Sequence, residues 1–373
     1  MKNDAFARFY KENARRLAKE IGRRNRKMTK DKNPIIASML KDVADLNSGG
    51  KLLRGVLVLL GYRIARNIVS GETADTSYAD GAAIAFELFQ TGVLIHDDII
   101  DNADTRRGKT TIQRRYEKRL SERKLAEGAA ALKTGESAAV CAGDYGLYMA
   151  NLTLAEAYAG DPCLAELIRY FDTVILDTIR GELLDVMLPV EISDPELEPA
   201  EAAALRRESI LLIYRLKTAQ YSVVGPLHLG MILGGAPKKA LKDLDVFAEN
   251  LGIAFQIKDD ILGVFADADV LGKDVGSDIE EKKQTYLSMY VENECPAHAA
   301  ALAEYYGKPG AGAETVEKVR AIFRESGALK FAEDEMEKLF FAAEKKLTGM
   351  KDLLPEDKAV LGGLIAYMRG RKK

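Results

Sequence analysis

Apolar residues recur every three to four positions along almost the whole chain, and alternating β-branched runs are scarce. This spacing is typical of amphipathic helices that bury one face. The predicted helices span about 51–66, 77–102, 136–159, 163–187, 206–234 and 238–266, with two or three more after 313. The pattern predicts an all-α protein, a single large helical bundle with binding sites between facing helices.

The 373 residues contain no repeat of fixed period and no obvious linker, so we predict one domain over 1–373. Asn33-Pro34 combines an N-cap residue with proline at the first helical position, which marks the start of one helix. The segment 116–135 is charged and Ala-rich without a clear apolar stripe, and we expect a surface excursion there.

Charge is distributed unevenly along the chain. The net charge is −3, yet residues 1–32 contain 12 Lys and Arg against 4 Asp and Glu. We predict a basic N-terminal surface helix over 1–32, because Asp4, Glu12 and Glu20 are atypical of a transit peptide. Contact with an anionic membrane is the weaker alternative. The near-neutral total gives no bulk bias toward nucleic acid.

Targeting signals and disulfides are not predicted. No run of 18 apolar residues exists, so no transmembrane segment is expected, and no secretory signal is recognised. The three cysteines are odd in number and lack metal-ligand spacing. We therefore expect a reduced, cytoplasmic setting.

An aspartate motif ends the apolar helix predicted over 77–102. Asp97 and Asp101 are four residues apart and stack on one helix face, whereas Asp98 is rotated by about 100° and belongs to a second layer. Stacked carboxylates form a hard oxygen site that suits Mg²⁺. Arg106 and Arg107 follow, and guanidinium groups are natural partners for phosphate oxygens.

Two other interpretations of this motif are weaker. A solvated acidic helix end is one, but the apolar stretch 82–95 indicates a buried helix. His96-Asp97 also resembles the paired ligands of metal phosphohydrolases. That fold needs an upstream histidine, and the remaining histidines are His228 and His298, so we discount it.

A second aspartate pair, Asp259-Asp260, interrupts another apolar helix. The position four residues after Asp259 is Gly263, so this half of the site has one carboxylate fewer. Asp259 would bind one metal, with water completing its coordination shell. If the two aspartate helices face each other, their carboxylates can hold several Mg²⁺ ions and bind diphosphate. The charged residues of the following loop are Lys273, Asp278 and Lys283.

Two basic segments accompany the aspartates. Lys217-Thr218 lies midway in the apolar helix 206–234, where the lysine either has a binding role or extends its ammonium group to solvent. Gly49-Gly50 precedes Lys51 and Arg54 and resembles a phosphate-binding turn before a helix. It lacks the P-loop pattern, and the glycines alone are also explained by a helix C-cap.

Taken in order, these motifs resemble the trans-isoprenyl diphosphate synthase (polyprenyl synthase) family over about 35–290. Its actinobacterial-type geranylgeranyl diphosphate synthases are the most similar. The ordered set is specific, although each motif alone is weak. The resemblance implies an isoprenoid-synthase bundle with the active site in a central cavity between facing helices. It further implies a homodimer that transfers an allylic prenyl group to isopentenyl diphosphate.

The resemblance also implies residue roles. Isopentenyl diphosphate would be bound by Lys51, Arg54, Gln90 and Arg107. The allylic diphosphate (dimethylallyl, geranyl or farnesyl) would be bound by Arg106, Lys217, Lys273 and Lys283. The catalytic residues would be Lys217, Thr218 and Gln256. About three Mg²⁺ ions would be bound by Asp97, Asp101 and Asp259.

Three features of the sequence qualify the resemblance. Gly263 replaces the last aspartate of the second motif, and Leu52 replaces a frequent arginine of the first. The segment 369–373 is similar to basic tails that close over diphosphate, or it is simply a charged terminus.

Product length can be argued from the first aspartate helix, because the growing tail would extend from Asp97 toward the helix start. One turn upstream, Gly92 and Val93 are both small, whereas farnesyl-stopping relatives carry a bulky aromatic there. Leu88 and Phe89 lie about 12–14 Å from Asp97. We predict a floor at Phe89 and a C20 product, geranylgeranyl diphosphate. If Phe89 instead packs in the core, the product is C25–C40; a farnesyl product is a further alternative.

Two rival functions remain. A non-catalytic subunit of a heteromeric synthase is favoured only by Gly263. A terpene cyclase would ionise a diphosphate but would need no isopentenyl site, which is the role implied for Lys51, Arg54, Gln90 and Arg107.

Overall fold

The computed structural model describes residues 5–71, 74–266, 276–308 and 310–371, and this part of the chain is almost entirely helical. Its α-helices are α1 (Ala5–Met28), α2 (Pro34–Asn47), α3 (Leu53–Ser70), α4 (Asp80–Ile100), α5 (Ile112–Glu122), α6 (Gly128–Ala157), α7 (Leu164–Glu191), α8 (Pro199–Ile213), α9 (Gly225–Leu233), α10 (Lys238–Phe265), α11 (Ser277–Glu280), α12 (Tyr286–Glu294), α13 (Pro296–Ala303), α14 (Ala313–Glu325), α15 (Ala328–Gly349) and α16 (Pro355–Arg369). A 3₁₀ turn (Ser77–Ala79) precedes α4, a π-helix (Tyr214–Val224) joins α8 to α9, and β1 (Thr105–Arg106) pairs antiparallel with β2 (Lys109–Thr110). The all-α prediction is confirmed.

Backbone contacts divide the chain into two compact units. The N-terminal unit comprises the described residues of 7–170 and 229–236. The C-terminal unit comprises 171–228 and the described residues of 237–371, together with residues 5 and 6. The single domain over 1–373 stays a prediction.

The N-terminal unit is built around α4, which is buried along most of its length. Close packing of α4 on α6 depends on glycine: a Cβ at Gly81 would lie 2.3 Å from Ala157 Cβ, and one at Gly143 would lie 2.3 Å from the His96 ring. Asn33 caps α2 as predicted, since its side chain accepts hydrogen bonds from the Ile35 and Ile36 N–H groups. The close glycine contacts with α6 fix α4, the helix that carries the first aspartate motif.

The charged segment 116–135 contains the second half of α5 and the first turns of α6. Residues 121–125 and 127–130 are exposed. At Gly135, however, a Cβ would lie 2.4 Å from the Gln113 carbonyl oxygen. The segment is therefore on the surface at its tip, while its two helices pack closely behind it.

The C-terminal unit is built around α10, whose apolar face is buried. Gly252 of α10 lies against the π-helix, because a Cβ there would be 2.6 Å from Ala219 Cα. Tyr290 stacks on Phe331 with ring centroids 4.8 Å apart and joins α12 to α15. Within the described chain, no helix combines the length and the apolar character that crossing a bilayer requires.

The predicted helix 206–234 is not uniform. An 11-residue π-helix replaces its middle, between α8 and α9. Apolar periodicity alone does not distinguish α from π winding over so short a stretch, because both keep one face buried. π-helical segments occur frequently at functional sites, and this one carries Lys217 and Thr218.

Candidate active site

The end of α4 brings the first aspartate motif together with Arg106. The Arg106 Nη2 donates to Asp97 Oδ2 at 2.7 Å, and its Nε donates to Asp98 Oδ1 at 2.6 Å. Asp98 is buried at 2% exposure, as its predicted second-layer position requires. Asp101 follows one turn after Asp97 as the C-cap of α4. A guanidinium group therefore already neutralises Asp97, one of the carboxylates that we expect to bind metal.

A tight hairpin directs the two adjacent arginines to different places. Arg107 and Gly108 form the turn between β1 and β2 with φ of 55° and 70°, the positive values that two-residue hairpins favour. Arg106 points to α4, whereas Arg107 Nη1 donates to the carbonyl oxygens of Gly49 and, at 3.3 Å, Leu46.

The predicted glycine turn has a specific neighbour. Gly50 has φ of 119°, and a Cβ there would lie 2.8 Å from Arg107 Nη2. Only glycine leaves room for the guanidinium group in this backbone conformation. The carbonyl of Lys51, the next residue, accepts a hydrogen bond from the Tyr10 hydroxyl.

Glu87 organises the residues that the resemblance assigns to isopentenyl diphosphate. This buried carboxylate accepts a hydrogen bond from the Gly55 N–H at 2.7 Å. In the amide orientation that satisfies both neighbours, Gln90 donates to Glu87 Oε2 at 3.1 Å and accepts from Arg54 Nη1 at 2.8 Å. Burial raises the pKa of Glu87, while the Gly55 N–H and the charges of Arg54 and Arg107 oppose that rise.

The three chain-length candidates occupy different faces of α4. At 100° per residue, Val93 and Phe89 lie about 40° and 80° around the helix from Asp97, whereas Gly92 lies about 140° away. Phe89 is fully buried and contacts the Phe86 ring. At Gly92, a Cβ would lie 2.9 Å from the Gly143 carbonyl oxygen and from Leu147 Cδ2. Gly92 therefore lies where α6 packs closely on α4, and its role in product length stays a prediction.

Lys217 is held by two carboxylates of α7. Its Nζ lies 2.5 Å from Asp185 Oδ2 and 2.9 Å from Glu182 Oε2. Gly181 permits this approach, because a Cβ there would lie 2.5 Å from the Lys217 backbone nitrogen. The alternative of a lysine extended to solvent is thus wrong.

Thr218 and Gln256 are joined in one chain of hydrogen bonds. Thr218 Oγ1 donates to Gln256 Oε1 at 2.6 Å, and Gln256 Nε2 donates to Asp260 Oδ1 at 2.7 Å. The Tyr214 hydroxyl donates to the other Asp260 oxygen and accepts from the Tyr286 N–H at 3.0 Å. This series of hydrogen bonds fixes which atom of the Gln256 amide faces Thr218.

Asp260 is ionised less readily than an ordinary aspartate. Burial raises its pKa to about 8, and the nearby Asp278 charge acts in the same direction. Hydrogen bonds from Tyr214 and Gln256 oppose the rise. Asp260 therefore serves hydrogen bonding within the unit, in contrast to its more exposed neighbour Asp259.

Asp259 is paired with the end of the described chain. Arg371 Nη1 lies 2.8 Å from Asp259 Oδ1 and 3.0 Å from Oδ2, and its guanidinium group lies over the Phe255 ring at 4.8 Å. Lys283 Nζ lies 3.7 Å from Asp278 Oδ1 and 3.8 Å from Glu281 Oε2. Lys273, which the sequence assigned to the allylic diphosphate, lies outside the described residues.

The donor sets fit Mg²⁺ bound together with a phosphate ligand. The N-terminal unit offers the carboxylate oxygens of Asp97 and Asp101, and the C-terminal unit offers those of Asp259. Arginines now pair with Asp97 and with Asp259. Among the described residues, no group of three or more His, Cys, Asp or Glu is arranged to hold a metal unaided. Mg²⁺ typically takes one or two carboxylates plus substrate phosphates, so the donor set of each unit, taken by itself, suits it.

Sequence reasoning missed several residues that position the predicted ones. They are Glu87, Glu182, Asp185 and Tyr214. Glu182 and Asp185 had a recognisable signal, because two acids three residues apart interrupt an apolar stretch of α7. Tyr214 gave no such signal, since an aromatic residue in an apolar helix is ordinarily part of the core.

Comparisons with known proteins agree with the motif order. The Polyprenyl synthetase family model matches residues 34–324. Farnesyl pyrophosphate synthase of Candida albicans is 28% identical over 329 residues, 87% of this chain and 86% of that protein. Geranylgeranyl diphosphate synthase of Sulfolobus acidocaldarius is 33% identical over 243 residues, 64% of this chain and 62% of that protein.

A solved structure resembles the whole chain. Geranylgeranyl pyrophosphate synthase from Corynebacterium glutamicum, crystallised with isoprenyl diphosphate and magnesium, superposes with a TM-score of 0.84 at 26% identity, covering 100% of both chains. The family match spans well over half of the 373 residues. The resemblance inferred from the sequence is therefore confirmed, and the chain belongs to the polyprenyl synthetase family as a trans-prenyltransferase of the isoprenyl diphosphate synthase type.

Proposed function

We propose that this enzyme condenses isopentenyl diphosphate head-to-tail with an allylic diphosphate to give geranylgeranyl diphosphate, the C20 all-trans product. The allylic C–O bond breaks with release of diphosphate, a C–C bond forms at the isopentenyl double bond, and the released diphosphate takes up the proton that the new cation loses. The observation that carries the proposal is the organisation of Arg54 and Gln90 by buried Glu87, with Arg107 on the glycine turn. These cations are distinct from the Asp97–Arg106 pair. A second diphosphate would need such a set, whereas a cyclase would not.

Lys217, Thr218 and Gln256 would act on the allylic substrate. Lys217, held by two carboxylates, would bind the leaving diphosphate. Thr218 and Gln256 present oxygen atoms whose orientation the Asp260 hydrogen bonds restrain. Oriented oxygen dipoles stabilise positive charge that develops during ionisation.

Asp97, Asp101 and Asp259 would hold about three Mg²⁺ ions together with the diphosphate. Bound Mg²⁺ would supply positive charge that stabilises the leaving diphosphate. Arg106, which now neutralises Asp97, would then turn toward the phosphate oxygens, and Arg371 would leave Asp259.

The C20 product rests on Phe89. Its ring is fully buried two turns before Asp97 and about 80° around α4 from it. Val93, one turn before Asp97, is too small to stop a C15 chain. A floor at Phe89 would therefore give C20 rather than farnesyl product. Packing of the same ring in the core against Phe86 would give C25–C40, and the product assay decides between the two.

The function is tested with the purified full-length chain, Mg²⁺, farnesyl diphosphate and isopentenyl diphosphate. We expect mainly C20 product, and no reaction with either Mg²⁺ or isopentenyl diphosphate omitted. A dominant C15 product, or C35 and above, would refute the floor. No turnover by the chain alone would instead indicate a subunit of a heteromeric synthase, and product formed without isopentenyl diphosphate would indicate a cyclase.

We further propose a homodimer, supported by an apolar stripe on α7. The exposed large apolar side chains of this stripe are Leu176, Ile179, Leu183, Val186, Met187 and Val190, at 38–64% exposure. Extended exposed apolar surfaces mark interaction sites, and homodimer interfaces are more apolar than the remaining surface. Sedimentation should show a dimer, and Leu176→Glu should shift it toward monomer; a monomeric wild type would refute this.

We also propose a cytoplasmic location, on the basis of the cysteines. Cys141, Cys163 and Cys295 are free thiols, which is the usual state in a reducing compartment. Fractionation of the source cells would test it, and recovery with secreted proteins would contradict it.

A further inference from the structure

Gly263 leaves a gap in the second aspartate motif that the structure fills from elsewhere. Residues four apart on a helix share one face, with Cβ atoms about 5–6 Å apart. A carboxylate at position 263 would therefore stand beside Asp259. A Cβ built on Gly263 lies only 2.2 Å from Asp278 Oδ2 and 3.3 Å from Asp278 Cγ. The Asp278 carboxylate thus occupies the space where a side chain of residue 263 would begin.

The position of Asp278 is set by its neighbours in α11 and beyond. Ile279 is buried at 1% exposure, and its carbonyl accepts the Gly307 N–H at 2.8 Å. At the other end of the segment, the Tyr306 hydroxyl donates to the Lys283 carbonyl at 2.6 Å. These contacts hold the backbone on both sides of Asp278 against Tyr306 and Gly307, which follow α13. The Asp278 carboxylate is thereby kept at Gly263 of α10.

The charges around the two aspartates point to a cation. Asp259 is paired with Arg371, and Asp278 with Lys283, whose Nζ lies 3.7 Å away. Asp259 on α10 and Asp278 on α11 are like charges, which repel each other on close approach unless positive charge lies near. Here arginine and lysine supply that charge, at carboxylates whose oxygen atoms equally suit Mg²⁺.

We propose that Asp278 replaces the carboxylate missing at Gly263, so that Asp259 and Asp278 together bind the divalent metal of the second motif. The inference rests on the proposed function, because it assigns a ligand to the metal that function requires. It explains how the motif retains two carboxylates although its sequence contains glycine. It also explains the glycine, since any larger residue would displace Asp278.

Metal binding tests this directly, without reference to turnover. The probe is Mn²⁺ titrated into the full-length protein with inorganic pyrophosphate, followed by electron paramagnetic resonance against a protein-free mixture. We expect Asp278→Ala to bind Mn²⁺ about 10-fold more weakly than wild type. The matched control is Glu281→Gln, which removes the other carboxylate near Lys283 and should leave Mn²⁺ affinity unchanged.

Relocating the carboxylate gives the decisive comparison. The double variant Gly263→Asp/Asp278→Ala returns a carboxylate to α10 without the clash, and its Mn²⁺ affinity should recover to within about threefold of wild type. Gly263→Ala should weaken binding in the wild-type background but not in Asp278→Ala, because its only effect is to displace Asp278. Circular dichroism would verify that each variant is folded.

The outcomes distinguish a failure of the proposed function from a failure of the Asp278 assignment. If wild type binds no Mn²⁺ with pyrophosphate, the metal requirement of the proposed function fails and this inference fails with it. If wild type binds and Asp278→Ala binds equally well, only the assignment of Asp278 is overturned. If Asp278→Ala binds Mn²⁺ weakly and adding Gly263→Asp does not restore the affinity, the assignment of Asp278 is also overturned. Asp278 would then act through Lys283 and not as a metal ligand.

Discussion

Arg371 occupies both carboxylate oxygens of Asp259, at 2.8 and 3.0 Å from one guanidinium nitrogen. Arg369, two residues earlier, is instead paired with Glu344 at 2.8 Å. Both described arginines of the basic C-terminal segment are therefore held in ion pairs. Arg371 occupies a carboxylate that is expected to bind metal.

This pairing predicts that the tail competes with metal. Arg371→Gln should lower the Mg²⁺ concentration for half-maximal activity by up to about fivefold, because a partly exposed ion pair contributes about 0.2–1 kcal/mol. Arg369→Gln is the control and should leave the Mg²⁺ dependence unchanged. A higher Mg²⁺ requirement in Arg371→Gln would show that the arginine assists metal binding instead.

Glu182 and Asp185 are predicted to position Lys217. Asp185→Asn and Glu182→Gln should each lower kcat about 10-fold or more while changing the KM for isopentenyl diphosphate little, because Lys217 would lose one of its two anchors. The control is Asp177→Asn on the same helix, which removes only a local pair with Arg180. Steady-state kinetics for both substrates measures this, and equal losses in the control would point to a general effect on α7.

Tyr214 is predicted to support the Thr218–Gln256 contact. Tyr214→Phe removes one hydroxyl that serves both Asp260 and the Tyr286 N–H, and it should destabilise the protein by about 1–3 kcal/mol. Denaturant unfolding measures the loss. Activity at a temperature where the variant is folded should also fall, since the Gln256 amide would be less restrained; unchanged kcat would limit Tyr214 to stability.

Phe89 is predicted to set product length. Phe89→Ala should lengthen the product beyond C20 and destabilise the fold by about 3–5 kcal/mol, the usual range for a buried aromatic. Leu88→Ala is the matched control: it is equally buried but lies on the opposite side of α4 from Asp97. It should destabilise without lengthening. Product chromatography at a temperature where both variants are folded makes the comparison, and unchanged chain length in Phe89→Ala would mean that Phe89 only packs the core.

Much of the site was predictable because its residues belong to short motifs. The stacking of Asp97 and Asp101 follows from helical periodicity alone, and the pairing of basic residues with phosphate follows from their chemistry. The π-helix was not predictable, because the apolar pattern of 214–224 suits either helix type. The packing of α6 on Gly92 was not predictable either: sequence shows that a residue is small, but not what fills the space beside it.

The sequence by itself determined that the chain is helical, which helices carry the two aspartate motifs, and the family to which it belongs, since apolar periodicity and motif order are properties of the linear chain. The tertiary structure decided which charges meet. Glu87 with Arg54 and Gln90, Asp185 with Lys217, and Asp278 at Gly263 each join residues from different elements. Such contacts depend on how helices pack, and helix packing is fixed by long-range complementarity that no local pattern records.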